Sequence, residues 1–175
     1  LIEYLDRSLR SIESIHKLGL QVIGIIPQIG FNKKTYKKNM NNIKFKEGEF
    51  YPSRLITHSD PLNPVSEAYR SIRTNVAFSI DEEEAKTILI SSPGPSEGKT
   101  TTAVNLAIAF SQLGKKTLII DTDLRKPIIH KILDTDKKPG LADYLRNYDS
   151  TLDQNSIINK TSIENLYFIP SGNLY

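Results

Sequence analysis

The sequence predicts an α/β fold, a parallel sheet flanked by helices, and three observations predict it. A short apolar run at Lys86–Ser92 leads into a helical pattern at Gly98–Leu113 and then a second apolar run at Lys116–Ile120. Strand, helix and strand within about 35 residues form a βαβ unit, whose strands run parallel and whose crossover is right-handed. The turn after the first run is rich in Gly and Pro, and the second run ends in alternating acidic residues. Both features fall at the carboxyl ends of strands, where open α/β sheets bind their ligands.

The composition is that of an ordinary folded chain. Its 175 residues allow one domain of normal size with a short appendage. Apolar residues at 38% and charged residues at 25% exclude a disordered chain. No apolar run is long enough to span a bilayer. The chain has no cysteine, which excludes disulfides and thiolate metal sites and suits a reducing compartment. A net charge of +3 gives no argument for nucleic acid, and none is expected as a partner. His16, His58 and His130 lack ligand spacing and are assigned neither metal nor acid–base work.

Three segments follow in order. In residues 1–29, Leu1, Leu5, Leu9, Ile12 and Ile15 recur near helical spacing, Gly19 stops the helix, and Leu20–Ile26 reads as a strand ended by Pro27. Residues 30–53 hold Lys33, Lys34, Lys37, Lys38, Lys44 and Lys46 among few aliphatics and read as a linker. The basic run has two open readings, a solvated linker or a contact with anionic lipid. Residues 54–175 carry the α/β pattern. There Asp60-Pro61-Leu62-Asn63-Pro64 is a loop, and Val65–Phe78 is a helix with a stripe of Val65, Ala68, Tyr69, Ile72 and Val76. Ile128–Leu133 and Leu141–Leu145 read as short helices, and Leu166–Ile169 as a further strand.

The strongest motif lies in Ile88-Leu89-Ile90-Ser91-Ser92-Pro93-Gly94-Pro95-Ser96-Glu97-Gly98-Lys99-Thr100-Thr101. A strand feeds a Gly/Pro-rich turn that opens a helix at Gly-Lys-Thr, the context of a P-loop. Backbone N–H groups of such a loop converge on phosphates, and the positive end of the helix dipole adds to them. Gly94, Ser96, Glu97, Gly98, Lys99, Thr100 and Thr101 are the candidate nucleotide-binding residues. Lys99 is expected to reach the β/γ-phosphates and the Thr100 hydroxyl to ligate Mg²⁺, so ATP and Mg²⁺ are the expected cofactors. Pro93 occupies the first glycine slot of the strict pattern, with Gly94 one place late. Asp121 and Asp123, two apart after Lys116–Ile120, would face one way if that strand continued through them, close to the Lys99 loop on the neighbouring strand.

With Gly98-Lys99-Thr100 followed by Ile119-Ile120-Asp121-Thr122-Asp123-Leu124-Arg125, the chain resembles the bacterial tyrosine kinases that regulate polysaccharide export. Ser66-Glu67-Ala68-Tyr69-Arg70-Ser71-Ile72-Arg73-Thr74-Asn75 is similar to the stretch before that family's phosphate loop. Gly19-Leu20-Gln21-Val22-Ile23-Gly24-Ile25-Ile26-Pro27 is similar to the segment after its second membrane helix. The resemblance implies the deviant P-loop ATPase fold and ATP-dependent autophosphorylation on tyrosine. It implies that Asp121 acts as base beside the attacking hydroxyl and that Asp123, together with Asp121, supports the metal, with Lys99 on the phosphates. A lysine, a metal and two carboxylates suffice in principle, because phosphoryl transfer mostly needs positioning and charge neutralisation.

The resemblance also implies a ring-shaped homo-oligomer assembled through Glu67, Arg70 and Arg73. At about 100° per residue all three lie off the apolar stripe, which leaves them available to a neighbour. A solvated face with an intrahelical Glu67–Arg70 pair is the other reading. Polysaccharide export machinery and a phosphotyrosine phosphatase are the further implied partners, at the cytoplasmic face of the bacterial inner membrane. The start at Leu1 and the stop soon after Leu166–Ile169 give the expectation of a piece whose sheet is incomplete at its C-terminal end. The family's later acidic strand and its tyrosine cluster are not in this stretch, which alone is not expected to be a competent kinase. Alternatives are a chromosome-partitioning or division-site ATPase switch, which would carry a second lysine where Gly94 stands, and a nucleotide-binding regulatory module without kinase activity.

Overall fold

The computed structural model describes residues 12–27, 55–79, 87–146 and 153–173. The first part of the expected N-terminal helix and the whole of the lysine-rich segment 30–53 lie outside them. Helix α1 (Ile12–Lys17) ends at Gly19, whose φ of +73° carries the chain out in a conformation costly for other residues.

The expected strand at Leu20–Ile26 is corrected: among the described residues the segment joins no ladder. It lies along helix α3 instead. Asn75 Nδ2 donates to Ile23 O at 2.7 Å, Gly24 rests against Ile72, and Ile26 packs on an apolar cluster. Gly24 allows that closeness, because any Cβ there would collide with the Ile72 side chain.

Helix α2 (Ile56–Ser59), one turn long and not foreseen, precedes α3 (Pro64–Ser79). Pro64 sits at the first helical position, where no N–H is needed, and Asn63 Oδ1 accepts the Val65 N–H at 3.0 Å. Val65, Tyr69 and Val76 of the expected stripe are buried, while Ala68 and Ile72 are half-buried. Helix α4 (Lys99–Ser111) follows the phosphate loop, and Gly114 turns the chain into strand β1 (Thr117–Ile120). Helices α5 (Ile129–Ile132) and α6 (Leu141–Arg146), a 3₁₀ turn at Gln154–Ile157, and strands β2 (Asn159–Lys160) and β3 (Leu166–Ile169) complete the described order.

The sheet order is β1-β3-β2. Strands β1 and β3 are parallel, with Thr117 opposite Leu166 and Ile120 opposite Ile169. Strand β2 pairs antiparallel with β3, so the described sheet is mixed, which corrects the all-parallel expectation. The run at 87–92 is not part of the described sheet and carries no ladder hydrogen bonds to these strands. The expected βαβ unit therefore shows its helix and second strand, without pairing between its two strands. An apolar run marks a segment fit for a sheet; it does not choose the partner.

Two cores meet on α4. Val104 and Ile108 face Ile119, Leu166 and Phe168 of the sheet, together with Ile129, Ile132 and Leu133. Leu106 and Ala109 face Ile56, Val65 and Tyr69. A helix packed on two sides must be apolar nearly all round, and α4 is. Phe168, fully buried, contributes about 2–3 kcal/mol by leaving water. On β1 the pleat alternates: Ile119 is buried, whereas Leu118 and Ile120 are 44% and 45% exposed on the opposite face.

Candidate nucleotide site

The loop at 92–99 is closed by its own side chains. Ser92 Oγ donates to Gly94 O at 2.8 Å, and Lys99 Nζ reaches the same carbonyl at 3.4 Å. The Gly94 N–H donates to Glu97 Oε2 at 3.0 Å, across the turn. Gly94 is suited to this place, since a Cβ there would press on the Glu97 carboxylate. Ser96 takes a φ of +63° and Gly98 one of +91°, so two left-handed residues make the curl. Gly98 is the N-cap of α4 and offers no side chain to the first helical amides. Those amides, the helix dipole and the Lys99 ammonium converge at one end of α4, which is an arrangement that binds phosphate. Thr100 and Thr101 are half-buried in the first turn.

The two carboxylates after β1 do not share a direction. The strand stops at Ile120, and the chain turns at once. Asp121 is buried at 3% exposure, with its N–H still donating to Ile169 O at 3.0 Å. Its Oδ1 accepts the Asp123 N–H at 3.1 Å and its Oδ2 the Ile129 N–H at 3.4 Å. Asp123 is exposed, and its Oδ1 accepts the Lys126 N–H at 3.0 Å. The expectation of a matched pair rested on the strand persisting; it is corrected, because backbone amides draw Asp121 inward. Burial raises the Asp121 pKa, against the lowering effect of the backbone donors from Asp123 and Ile129, and the nearby Asp123 charge adds to the rise. A carboxyl so raised is nearer the range useful for accepting a proton at neutral pH.

Oxygen donors of this kind suit Mg²⁺, a hard cation that also keeps several waters. The Thr100 hydroxyl and the Asp123 and Asp121 carboxylates are the residues that would hold it. Among the described residues no cluster of three or more His, Cys, Asp or Glu side chains is built to hold a metal by itself. The donor set therefore fits a cation that arrives with a nucleotide, whose phosphates supply the other ligands.

Glu67 is exposed, and Arg70 Nη1 pairs with its Oε2 at 2.8 Å while Nη2 donates to Pro61 O at 2.6 Å. Arg73 differs. Its Nη1 donates to Ala109 O on α4 at 3.0 Å, and it is half-buried, so part of its guanidinium is already engaged by the neighbouring helix. The sequence reading also passed over Asn105 and Thr57. Asn105 is fully buried, accepts the Thr57 N–H at 2.9 Å and donates to Thr101 O at 2.8 Å. Its signal was legible: one amide amid Val104, Leu106 and Ile108 in an apolar helix needs a partner.

Residues 85–174 match the family model described as AAA domain. The chain is 41% identical over 103 residues to tyrosine-protein kinase YwqD of Bacillus subtilis, covering 59% of this chain and 44% of that protein. It is 30% identical over 168 residues to tyrosine-protein kinase wzc of Salmonella typhimurium, covering 95% of this chain and 22% of that one. The chain thus spans less than half the length of either relative. Among solved structures, the chimerical protein CapA2B2 superposes with a TM-score of 0.72 at 34% identity, over 94% of this chain and 62% of that one. The kinase domain of Escherichia coli tyrosine kinase ETK has the same fold, with a TM-score of 0.75 at 24% identity over 94% of this chain and 60% of that one. A left-handed glycine opening a lysine-bearing helix, a buried aspartate closing the next strand and these likenesses agree: the chain belongs to the AAA domain family and, within it, to the kinase domains of the bacterial tyrosine kinases.

Proposed function

We propose that this chain is the nucleotide-binding part of an ATP-dependent protein-tyrosine autokinase that regulates capsule or exopolysaccharide synthesis and export. The observation that carries the proposal is the Gly98–Thr100 junction, where the α4 amides and Lys99 meet in a Gly/Pro-rich curl. In this reading Lys99 neutralises the β/γ-phosphates, Thr100 and Asp123 hold Mg²⁺, and Mg²⁺ supplies charge neutralisation on the phosphates. Asp121 orients the incoming tyrosine hydroxyl and takes its proton. Each of its oxygens accepts one backbone N–H and keeps a second lone pair for the hydroxyl. The test is autophosphorylation of the full-length protein with and without Asp121→Asn. The variant is expected to lose at least about 100-fold in phosphotyrosine signal, within the range of general-base losses, while nucleotide affinity changes little. A variant phosphorylated at the parent's level would sink the assignment of Asp121.

The proposal extends to a ring of subunits at the cytoplasmic face of the inner membrane, with export machinery and a phosphotyrosine phosphatase as partners. Glu67 and Arg70 are the contact residues in this reading, and Arg73 supports their helix from behind. The Glu67→Ala/Arg70→Ala double variant should stay folded, since the intrahelical pair is worth only about 0.2–0.5 kcal/mol. It should run as a smaller species in light scattering and lose phosphotyrosine. Arg73→Ala should instead destabilise the fold by about 1–3 kcal/mol through the lost bond to Ala109 O. If the double variant keeps the parent's mass, the exposed face is merely solvated.

A further inference from the structure

Asn105 interrupts the apolar run of α4, standing fully buried between Val104 and Leu106. An amide in such a place carries a desolvation cost unless both of its ends find partners. It finds them on two different helices. Its Oδ1 accepts the Thr57 N–H of α2 at 2.9 Å, and its Nδ2 donates to Thr101 O, in the first turn of α4, at 2.8 Å.

The far end of this bridge is firmly held. Thr57 is itself fully buried, and its N–H is one of the first amides of α2, which have no acceptor within their own helix. Thr57 O accepts from Gln112 Nε2 at 3.1 Å, so α4 grips one residue of α2 at both its N–H and its carbonyl, from positions seven apart on one face. Helix α2 is also fastened to α3, because Ser66 Oγ reaches Ile56 O at 3.1 Å and Asp60 O at 2.7 Å. The single turn of α2 is therefore a fixed post.

Capping α2 needs only an acceptor. Asn105 donates as well, and it donates to the turn that carries Lys99 and Thr100. That turn follows two left-handed residues, Ser96 and Gly98, and the Thr102 N–H closes it on Gly98 O at 2.8 Å. Helix ends fray when nothing outside the helix holds them. The Asn105 bridge supplies that outside hold.

We infer that Asn105 is a positioning residue for the phosphate loop: its side chain ties the first turn of α4, at Thr101 O, to the α2 backbone at Thr57, and so fixes the aim of Lys99 and the first helical amides before a nucleotide arrives. The inference rests on the nucleotide-binding reading above and adds to it a residue from outside the motif. Donors that are already aimed need less ordering on binding, so the bridge contributes affinity without touching the nucleotide.

The experiment is titration of a fluorescent ATP analogue with Mg²⁺ into the full-length parent, Asn105→Ala, Asn105→Ser and Gln112→Met, each well below its own melting point. Asn105→Ala removes both bonds; in Asn105→Ser the hydroxyl still reaches Thr101 O but not α2. Both should melt below the parent and bind the analogue about tenfold more weakly, the worth of one ordinary hydrogen bond. Gln112→Met, which loosens α2 from α4 without touching the first turn, should bind like the parent. A second measurement needs no variant, because coupling is reciprocal and a bound nucleotide must protect the bond that favours it. In the parent, saturating analogue should slow hydrogen exchange at the Thr57 amide about tenfold, and more than at the Ser59 amide, which Leu55 O holds within α2. Asn105 variants that bind like a binding-competent parent would overturn this inference alone. An equal loss of binding in Gln112→Met, or a Thr57 amide protected no more than Ser59, would also overturn it. A parent that binds no analogue would remove the nucleotide reading together with it.

Discussion

Lys99→Ala is expected to lower the affinity of the full-length protein for ATP–Mg²⁺ by about 2–3 kcal/mol, roughly 30–150-fold, and to abolish autophosphorylation. The ammonium stands at the mouth of α4, and its bond to Gly94 O is 3.4 Å, at the long limit of a hydrogen bond. Removing it therefore costs the fold little and the bound phosphates a great deal, since a charge-assisted contact in the loop is lost with no replacement. The backbone amides and the dipole of α4 remain, so residual binding is expected rather than none. Isothermal titration with ATP and with ADP checks this. A Lys99→Ala protein that binds and turns over ATP like its parent would remove the phosphate-loop reading.

Gly140→Ala is expected to destabilise the fold by about 3 kcal/mol or more, lowering the melting point by roughly 6–12 °C. Gly140 is buried where the approach to α6 crosses the end of β3. A Cβ there would run into Gly172 N, Gly172 Cα and Pro170 O, all backbone atoms that cannot turn aside as a side-chain tip can. The same crossing is held by Leu141 N–H to Pro170 O at 2.8 Å, Ala142 N–H to Ser171 O at 2.9 Å and Gly172 N–H to Lys137 O at 3.2 Å. Gly140 N–H to Asp143 Oδ2 at 3.0 Å completes it. Any shift that admits the methyl group therefore strains several bonds together. Gly19→Ala is the control: nothing lies near its Cβ position, and only the cost of a left-handed residue applies, about 1 kcal/mol. Equal melting points for the two variants would show that the crossing is looser than its geometry implies.

Glu97 illustrates how far a motif can be read. Its place before Gly98 put it among the nucleotide-binding candidates, and the chemistry of a carboxylate beside phosphates gave no reason for it. In the folded loop it accepts the Gly94 N–H and thereby holds the curl closed. Spacing marked the residue, and only the turn of the chain disclosed its partner.

The sequence by itself determined the helices α3, α4, α5 and α6, strands β1 and β3 and the Gly/Pro-rich loop between 92 and 100. Each rests on local rules: apolar period, Gly and Pro placement, and a lysine fixed at a helix start. The burial of Val65, Tyr69 and Val76 was legible for the same reason, because a stripe at helical spacing has one inward side. The tertiary structure alone decided the rest. Leu20–Ile26 has strand composition yet lies on α3, because a ladder needs a partner edge and the nearest surface offered Ile72 and Asn75 instead. Asp121 and Asp123 parted ways because the strand ended at Ile120 and backbone amides from 123 and 129 reached one carboxylate and not the other. Arg73 turned inward because α4 presents an open carbonyl at Ala109, a group no helical wheel displays. These outcomes depend on which donors and acceptors distant segments bring together, and a buried polar group takes whichever partner the packing supplies.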